Sequence, residues 1–177
     1  MATTWTLDPA HSEVGFKIKH LMITNVKGNF GTYTVNAETE GEDFTKAKIS
    51  FEAEVASVNT NNEQRDGHLK APDFFDAEKF PKITFEATEV ENVDHDGSYE
   101  LLGNLTIKGI SKPIKLDVEF GGVIHDLWGG VRAGFTINGK INRKDWGLTW
   151  NAVTESGGML VAEVLNITCE IQLVKQA

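Results

Sequence analysis

A chain of 177 residues with 40% hydrophobic and 24% charged residues can bury a core of its own and is too apolar to be a disordered segment. Its formal net charge of −9 and its seventeen Lys and Arg without a basic run argue against a phosphate-tracking surface, so no nucleic-acid partner is expected. A single cysteine, Cys169, excludes an intramolecular disulfide framework, and four scattered Pro without a Gly/Ser-rich linker leave one domain over residues 1–177.

The first residues, Met-Ala-Thr-Thr-Trp, lack the basic stretch and apolar core of a secretory signal, and no run approaches transmembrane length. The expectation is a cytoplasmic protein that does not span a membrane. A chain trimmed at a cleavage site and restarted on Met would read the same and would be periplasmic.

The first strand signal is His11–His20, where strict alternation puts Ser12, Val14, Phe16, Ile18 and His20 on one face and the charged residues on the other. That face is apolar with polar ends. At about 3.3 Å per residue Ser12 and His20 stand roughly 26 Å apart, a span suited to a long apolar ligand with a polar terminus. The plain alternative is that the two residues cap a strand at the rims of a filled barrel.

Further along, a strand is expected over Gly28–Ala37, then one with Ile49, Phe51, Ala53 and Val55 inward, and another with Ile83, Phe85 and Ala87 inward. Between these last two, Asn61–Lys70 breaks the period and offers an Asn cap, early acidic residues and a late lysine, predicting a short helix. Pro72 ends it, and Phe74 and Phe75 follow as an apolar plug, so that residues 61–76 form either a lid over a barrel mouth or a connection pinned by two aromatics. Alternation resumes over Tyr99–Ile107, Ile114–Phe120, Val131–Ile141 and Leu165–Leu173, the last of which carries Cys169 as a packing residue.

About eight one-faced antiparallel strands must pack as two sheets or close on themselves, and closure removes exposed edges, so an all-β barrel is the expected fold. Phe16, Phe51, Phe85 and Phe135 should point inward. The small inward positions Ala53, Ala87, Gly103, Ala133 and Gly139 leave room for a ligand unless the ten Phe fill it.

Enzyme and metal signatures do not occur: there is no Gly-x-Ser-x-Gly, P-loop, His-Glu-x-x-His, EF-hand loop or Cys-x-x-Cys, and the five His show no ligand spacing. No metal or cofactor is expected. His95 and His125 read as residues of solvated turns, and the sequons at Asn104 and Asn166 fall inside predicted strands. Two constellations remain, Arg65 with Asp66 and His68 on the helix, and Arg143 with Asp145, which a strand would place on one face. An arginine fork suits a phosphate or carboxylate head group, and an Arg–Asp pair suits a structural tie between helix and barrel.

With these residues in view, the chain resembles the YceI-like family of lipid-binding proteins. The resemblance rests on Trp5-Thr-Leu-Asp-Pro-Ala-His-Ser12 with Val14, Phe16 and His20, on Val26-x-Gly-x-Phe30, on Arg65-Asp-x-His-Leu69 with Asp73-Phe-Phe-Asp76 and Pro81-x-Ile-x-Phe85, and on Gly103–Gly109, Arg132–Phe135 and Asn142–Gly147. It implies a lipocalin-like antiparallel barrel that holds an isoprenoid chain, such as a polyprenyl phosphate or a quinone, in an elongated tunnel, and a homodimer as a reasonable assembly. It departs from the family at Val161-Ala-Glu-Val164, where an acidic residue usually precedes the Glu-Val, and at His125–Gly129, where Trp128 is expected to narrow or line a mouth.

The candidate ligand-binding residues are therefore Ser12, Val14, Phe16, Ile18, His20, Phe51, Arg65, His68, Phe85, Phe135, Arg143 and Asp145. The leading function is non-enzymatic binding, transport or sequestration of a long isoprenoid. The alternatives are a solid structural or stress-response barrel and, behind it, an enzyme using His20 or His68 as acid/base beside Arg65 or Asp145.

Overall fold

The computed structural model describes residues 2–21, 23–91, 94, 97–150 and 161–176. The strands are β1 (Ala2–Leu7), β2 (Glu13–His20), β3 (Thr24–Phe30), β4 (Tyr33–Glu40), β5 (Asp43–Glu54), β6 (Val58–Asn59), β7 (Lys82–Glu91), β8 (Ser98–Ile107), β9 (Ile110–His125), β10 (Val131–Asn142) and β11 (Val161–Lys175), with one α-helix, α1 (Glu63–Lys70), before β7. The order β1-β4-β5-β7-β8-β9-β10-β11 closes through a β1–β11 pairing, giving an eight-stranded antiparallel barrel.

Strand β11 is long enough to serve two neighbours. Its C-terminal end pairs with β1, Leu173 opposite Leu7, while its N-terminal part pairs with β2, Ile167 opposite Phe16. Strands β2, β3 and β6 thus extend one end of the barrel as a flap.

The eight barrel strands are not the eight expected. Gly28–Ala37 is two strands broken at Gly31 and Thr32, because the Gly31 N–H donates to the Ser57 carbonyl and the Thr32 carbonyl accepts from Glu54, which turns the chain from the flap into the barrel. Strand β1 is not among the expected strands. Its anchor is Trp5, wholly buried, whose indole Nε1–H donates to Thr39 Oγ1 at 2.8 Å.

The glycines among the small inward positions do not simply leave space. A Cβ on Gly103 would lie 2.5 Å from the Phe85 ring, and one on Gly139 would lie 2.5 Å from Leu116 Cδ2, so each glycine accommodates a large neighbour that leans over it. The end of the barrel away from the flap is closed by aromatic rings. Phe44 meets Trp5 at 4.9 Å and Phe135 at 4.9 Å, and Phe120 stacks on Phe135 at 5.1 Å.

Helix α1 forms as its sequence predicts. Asn62 caps it by accepting from the Arg65 N–H at 3.0 Å, and it ends at Ala71, just before Pro72. Among the described residues no helix is long and apolar enough to cross a membrane. His95 lies outside the described residues. Asn104 and Asn166 both sit in strands, β8 and β11.

Candidate functional site

The barrel encloses an inner chamber of about 170 Å³ whose walls include Val14, Phe51, Phe85, Leu116, Phe135 and Ile167. Besides the carbon-lined positions it meets the side chains of Tyr99, Cys169 and Arg143. Burial pushes the Tyr99 hydroxyl up and the Cys169 thiol up to about 11, so both stay neutral at physiological pH and add no charge to the chamber.

An outer chamber of about 490 Å³ opens beside the flap. Strand β2 contributes Ile18, Lys19 and His20, and α1 contributes Gln64, Arg65, His68 and Leu69, while Phe74, Trp150 and Val161 are among its other walls. Phe16, Phe75, Arg143, Leu148 and Leu165 line both chambers and form the neck between them. The plug residue Phe75 is thus in the neck, with its ring 6.3 Å from Phe30.

Alternation on β2 orders the site. Val14 is in the inner chamber, Phe16 in the neck, and Ile18 and His20 in the outer chamber, a run of about 20 Å at strand rise. Ser12 does not join them. It precedes β2, where a 3-10 turn over Pro9–His11 interrupts the ladder, and its hydroxyl accepts from the Gln172 N–H at 2.9 Å in place of a backbone partner. Phe51, Phe85 and Phe135 line the inner chamber as alternation predicts.

Helix α1 brings three polar side chains, Gln64, Arg65 and His68, to the outer chamber. Arg65 Nε donates to Thr60 Oγ1 at 2.8 Å and Nη2 donates to the Thr60 carbonyl at 2.7 Å, while Asp66 accepts from the Thr60 N–H and hydroxyl. The expected Arg–Asp tie is therefore bridged by Thr60. These bonds leave the Nη1 group of Arg65 without a partner among the described residues. His68 stands edge-on to Phe74 and Trp150, at 5.0 and 4.7 Å, with Nε2 3.4 Å from Asp73 Oδ2.

Arg143 behaves differently. It is only 2% exposed, yet it has no carboxylate partner among the described residues and instead donates to four carbonyls. Nε reaches Ala162 at 2.8 Å, Nη1 reaches Leu148 at 2.5 Å and Trp150 at 2.9 Å, and Nη2 reaches Val161 at 3.4 Å. Burial lowers its pKa, and Glu163 opposes that shift. The guanidinium pins the two chain segments on either side of residues 151–160 to the neck.

The expected strand face shared by Arg143 and Asp145 does not exist. The Arg143–Trp146 segment is a 3-10 turn in which Arg143 and Trp146 are buried and Asp145 is exposed, outside both chambers, because Trp146 turns inward to donate its indole N–H to the Leu105 carbonyl at 2.9 Å. Glu163, in the departing Val161–Val164 segment, pairs with Lys144 at 2.7 Å.

Trp128 lines neither chamber. It is 86% exposed at the end opposite the outer chamber, on a turn that Asp126 fixes by accepting from the Trp128 and Gly130 N–H groups at 2.9 and 2.7 Å. Asp126 is bound in turn by Arg132, which also pairs with Asp8. Sequence reading missed the neck residues Leu148 and Leu165 and the outer-chamber Trp150. Leu165 was legible as the inward start of the last strand, whereas Leu148 and Trp150 lie in a segment without periodicity.

Among the described residues no three His, Cys, Asp or Glu gather as a metal ion requires.

Comparison with known proteins agrees with the architecture. A UPF0312 protein of Staphylococcus aureus is 41% identical over 163 residues, covering 91% of each chain. The crystal structure of Burkholderia cenocepacia BcnA superposes with a TM-score of 0.80 at 19% identity, covering 94% of this chain and 98% of that one. A polyisoprenoid-binding domain from Saccharophagus degradans superposes with a TM-score of 0.69 at 15% identity, covering 96% and 97%. At these identities the two structures show a shared fold. A YceI-like domain spans residues 5–173, and with the S. aureus relative this establishes that the chain belongs to the YceI-like family.

Proposed function

We propose that the protein binds a long apolar ligand of isoprenoid type without acting on it chemically, with the chain in the inner chamber and the polar end in the outer one, as a carrier or sequestering protein. The carrying observation is the change of lining across the neck, from an inner chamber lined almost wholly by apolar side chains to an outer one that adds Lys19, His20, Gln64, Arg65 and His68 to its apolar walls. A ligand with a hydrocarbon chain and one polar end matches that division. The fold shared with the S. degradans polyisoprenoid-binding domain supports the same class.

Each CH2 taken from water contributes about 0.8 kcal/mol, so a few isoprene units offset the cost of association. Arg65, whose Nη1 group has no partner among the described residues, is the head-group donor, and Arg143, committed to carbonyls, holds the neck. A polyprenyl phosphate or a quinone fits this arrangement. His20 and His68, the candidate acid/bases of an enzyme, line the outer chamber, but Asp145 does not stand beside them.

Extraction of the purified protein with organic solvent, followed by mass spectrometry, tests this reading. An isoprenoid near one equivalent is the expected result. No apolar ligand in the extract, together with no uptake of added polyprenol, overturns it.

A further inference from the structure

The β2–β3 hairpin differs in charge from the rest of the molecule. Residues 14–37 contain no Asp or Glu, although the chain has 26, and they carry Lys17, Lys19 and Lys27. Lys17 and Lys27 face each other directly across the β2–β3 ladder, an arrangement of like charges that costs a sheet stability. Among the described residues none of the three forms an ion pair.

The tip of this hairpin is apolar. Ile23 is 76% exposed and Leu21 39% exposed. Leu21 has φ of 54°, in the left-handed region where glycine or asparagine is accommodated with less strain than leucine. The turn is closed by the Ile23 N–H donating to the His20 carbonyl at 3.2 Å, and His20 and Lys19 themselves line the outer chamber. A protruding apolar pair, flanked by lysines, therefore stands at the rim of the site. The opposite end of the barrel carries Glu40, Glu42 and Asp43 at the β4–β5 turn.

We propose that this hairpin docks the protein on an anionic lipid bilayer, with Leu21 and Ile23 entering the interface, the lysines meeting the headgroups and the outer chamber opening at the membrane. The inference rests on the reading of the chambers as a site for a lipid that resides in membranes. Charge complementarity selects the occupant: a cationic face with an apolar tip fits an anionic interface, whereas a second copy docked symmetrically would bring the same lysines against their equivalents.

The test is flotation of the 177-residue protein with vesicles of phosphatidylcholine and phosphatidylglycerol at 3:1, compared with phosphatidylcholine alone. Three proteins are needed: the parent, Lys17→Gln/Lys27→Gln, and Leu21→Asn/Ile23→Asn. The parent is expected on the anionic vesicles and released by salt, with partition about fivefold weaker per lysine removed. The tip variant should partition roughly tenfold less and melt no lower, since asparagine accepts the left-handed backbone at position 21. A parent that stays off anionic vesicles, or variants that partition like it, overturns the proposal. So does a tip variant that converts a parent dimer to a monomer with vesicle binding unchanged, which would assign the hairpin to self-association. Loading with polyprenol from an ethanol stock, without vesicles, reads the chambers separately, so loss of loading with flotation intact counts against the ligand reading alone.

Discussion

The inner and outer chambers are built from the same strand face and the same neck, yet they are held by different physics. The inner chamber is fixed by alternation: every second residue of closed strands must point inward, and an aromatic floor of Phe44, Phe120 and Phe135 stops it at one end. The outer chamber is assembled from elements distant in sequence, α1, the Phe74–Phe75 plug and the Leu148–Trp150 segment, and these are tied by hydrogen bonds to backbone. The contrast teaches that the apolar part of the site is a by-product of the fold, while the polar part depends on a few named contacts. Its two arginines show this most clearly, since Arg143 spends its donors on backbone carbonyls and Arg65 keeps its Nη1 group without a partner among the described residues.

Breaking the Arg143 contacts should therefore have the largest effect, and on stability. Arg143→Gln leaves carbonyls at the neck unsatisfied and should cost about 3 kcal/mol in urea unfolding, with loss of apolar and charged ligands alike. A stable variant that loses only charged ligands would make Arg143 a head-group residue instead.

Filling the neck separates the chambers without disturbing the floor. Leu165→Trp places bulk where both chambers meet, so polyprenol uptake should fall by about tenfold or more while stability changes by about 1 kcal/mol, measured by fluorescence titration and by melting. Phe135→Trp is a poorer probe of the cavity, because Phe135 also packs on Phe44 and Phe120. Unchanged uptake by Leu165→Trp would mean that ligand does not pass the neck.

Arg65→Gln sharpens the comparison at the polar end. Loss of one charge-assisted contact should weaken a polyprenyl phosphate roughly tenfold and leave an uncharged quinone within about twofold, in parallel titrations. Equal losses for both would make Arg65 a structural clamp on Thr60.

The smallest effect belongs to the far end, where neither chamber reaches. Hydrogen bonds from His11 and Arg132 hold the Asp8 carboxyl below its usual range, and the Gly130 N–H, Arg132 and the Trp128 N–H do the same for Asp126. Both carboxyls therefore add stability while ionised, and that contribution is lost as pH falls through their folded-state values, below about 4. Arg132→Gln should narrow the difference in melting temperature between pH 7 and pH 3. Its ligand affinity at pH 7 should match the parent's.

The same division governs how much of the molecule was legible in its sequence. Period-two runs identified β5 and β7–β11, the inward Phe51, Phe85 and Phe135, and the ordering of Val14, Phe16, Ile18 and His20. Periodicity cannot say where a strand stops being paired, which is why alternation carries the expected site on to Ser12 although the β2 ladder begins only at Glu13, after the Pro9–His11 turn. Nor can it detect a corner such as Gly31-Thr32, where residues on both sides keep strand character and only the contacts with Ser57 and Glu54 divide β3 from β4. A related reason separates Arg143 from Asp145: the alternation of β10 runs up to Asn142, and the buried Trp146 indole then winds the chain into a turn.

The central claim is that the hydrocarbon chain passes the neck and ends on the aromatic floor. Isotope-filtered NOE spectroscopy of the protein loaded with a polyprenol labelled with carbon-13 at its terminal methyl groups tests it most directly. Cross-peaks from those methyls to the ring protons of Phe44 and Phe135 are the predicted result. Cross-peaks confined to His68, Phe74 and Trp150, or none, would contradict it.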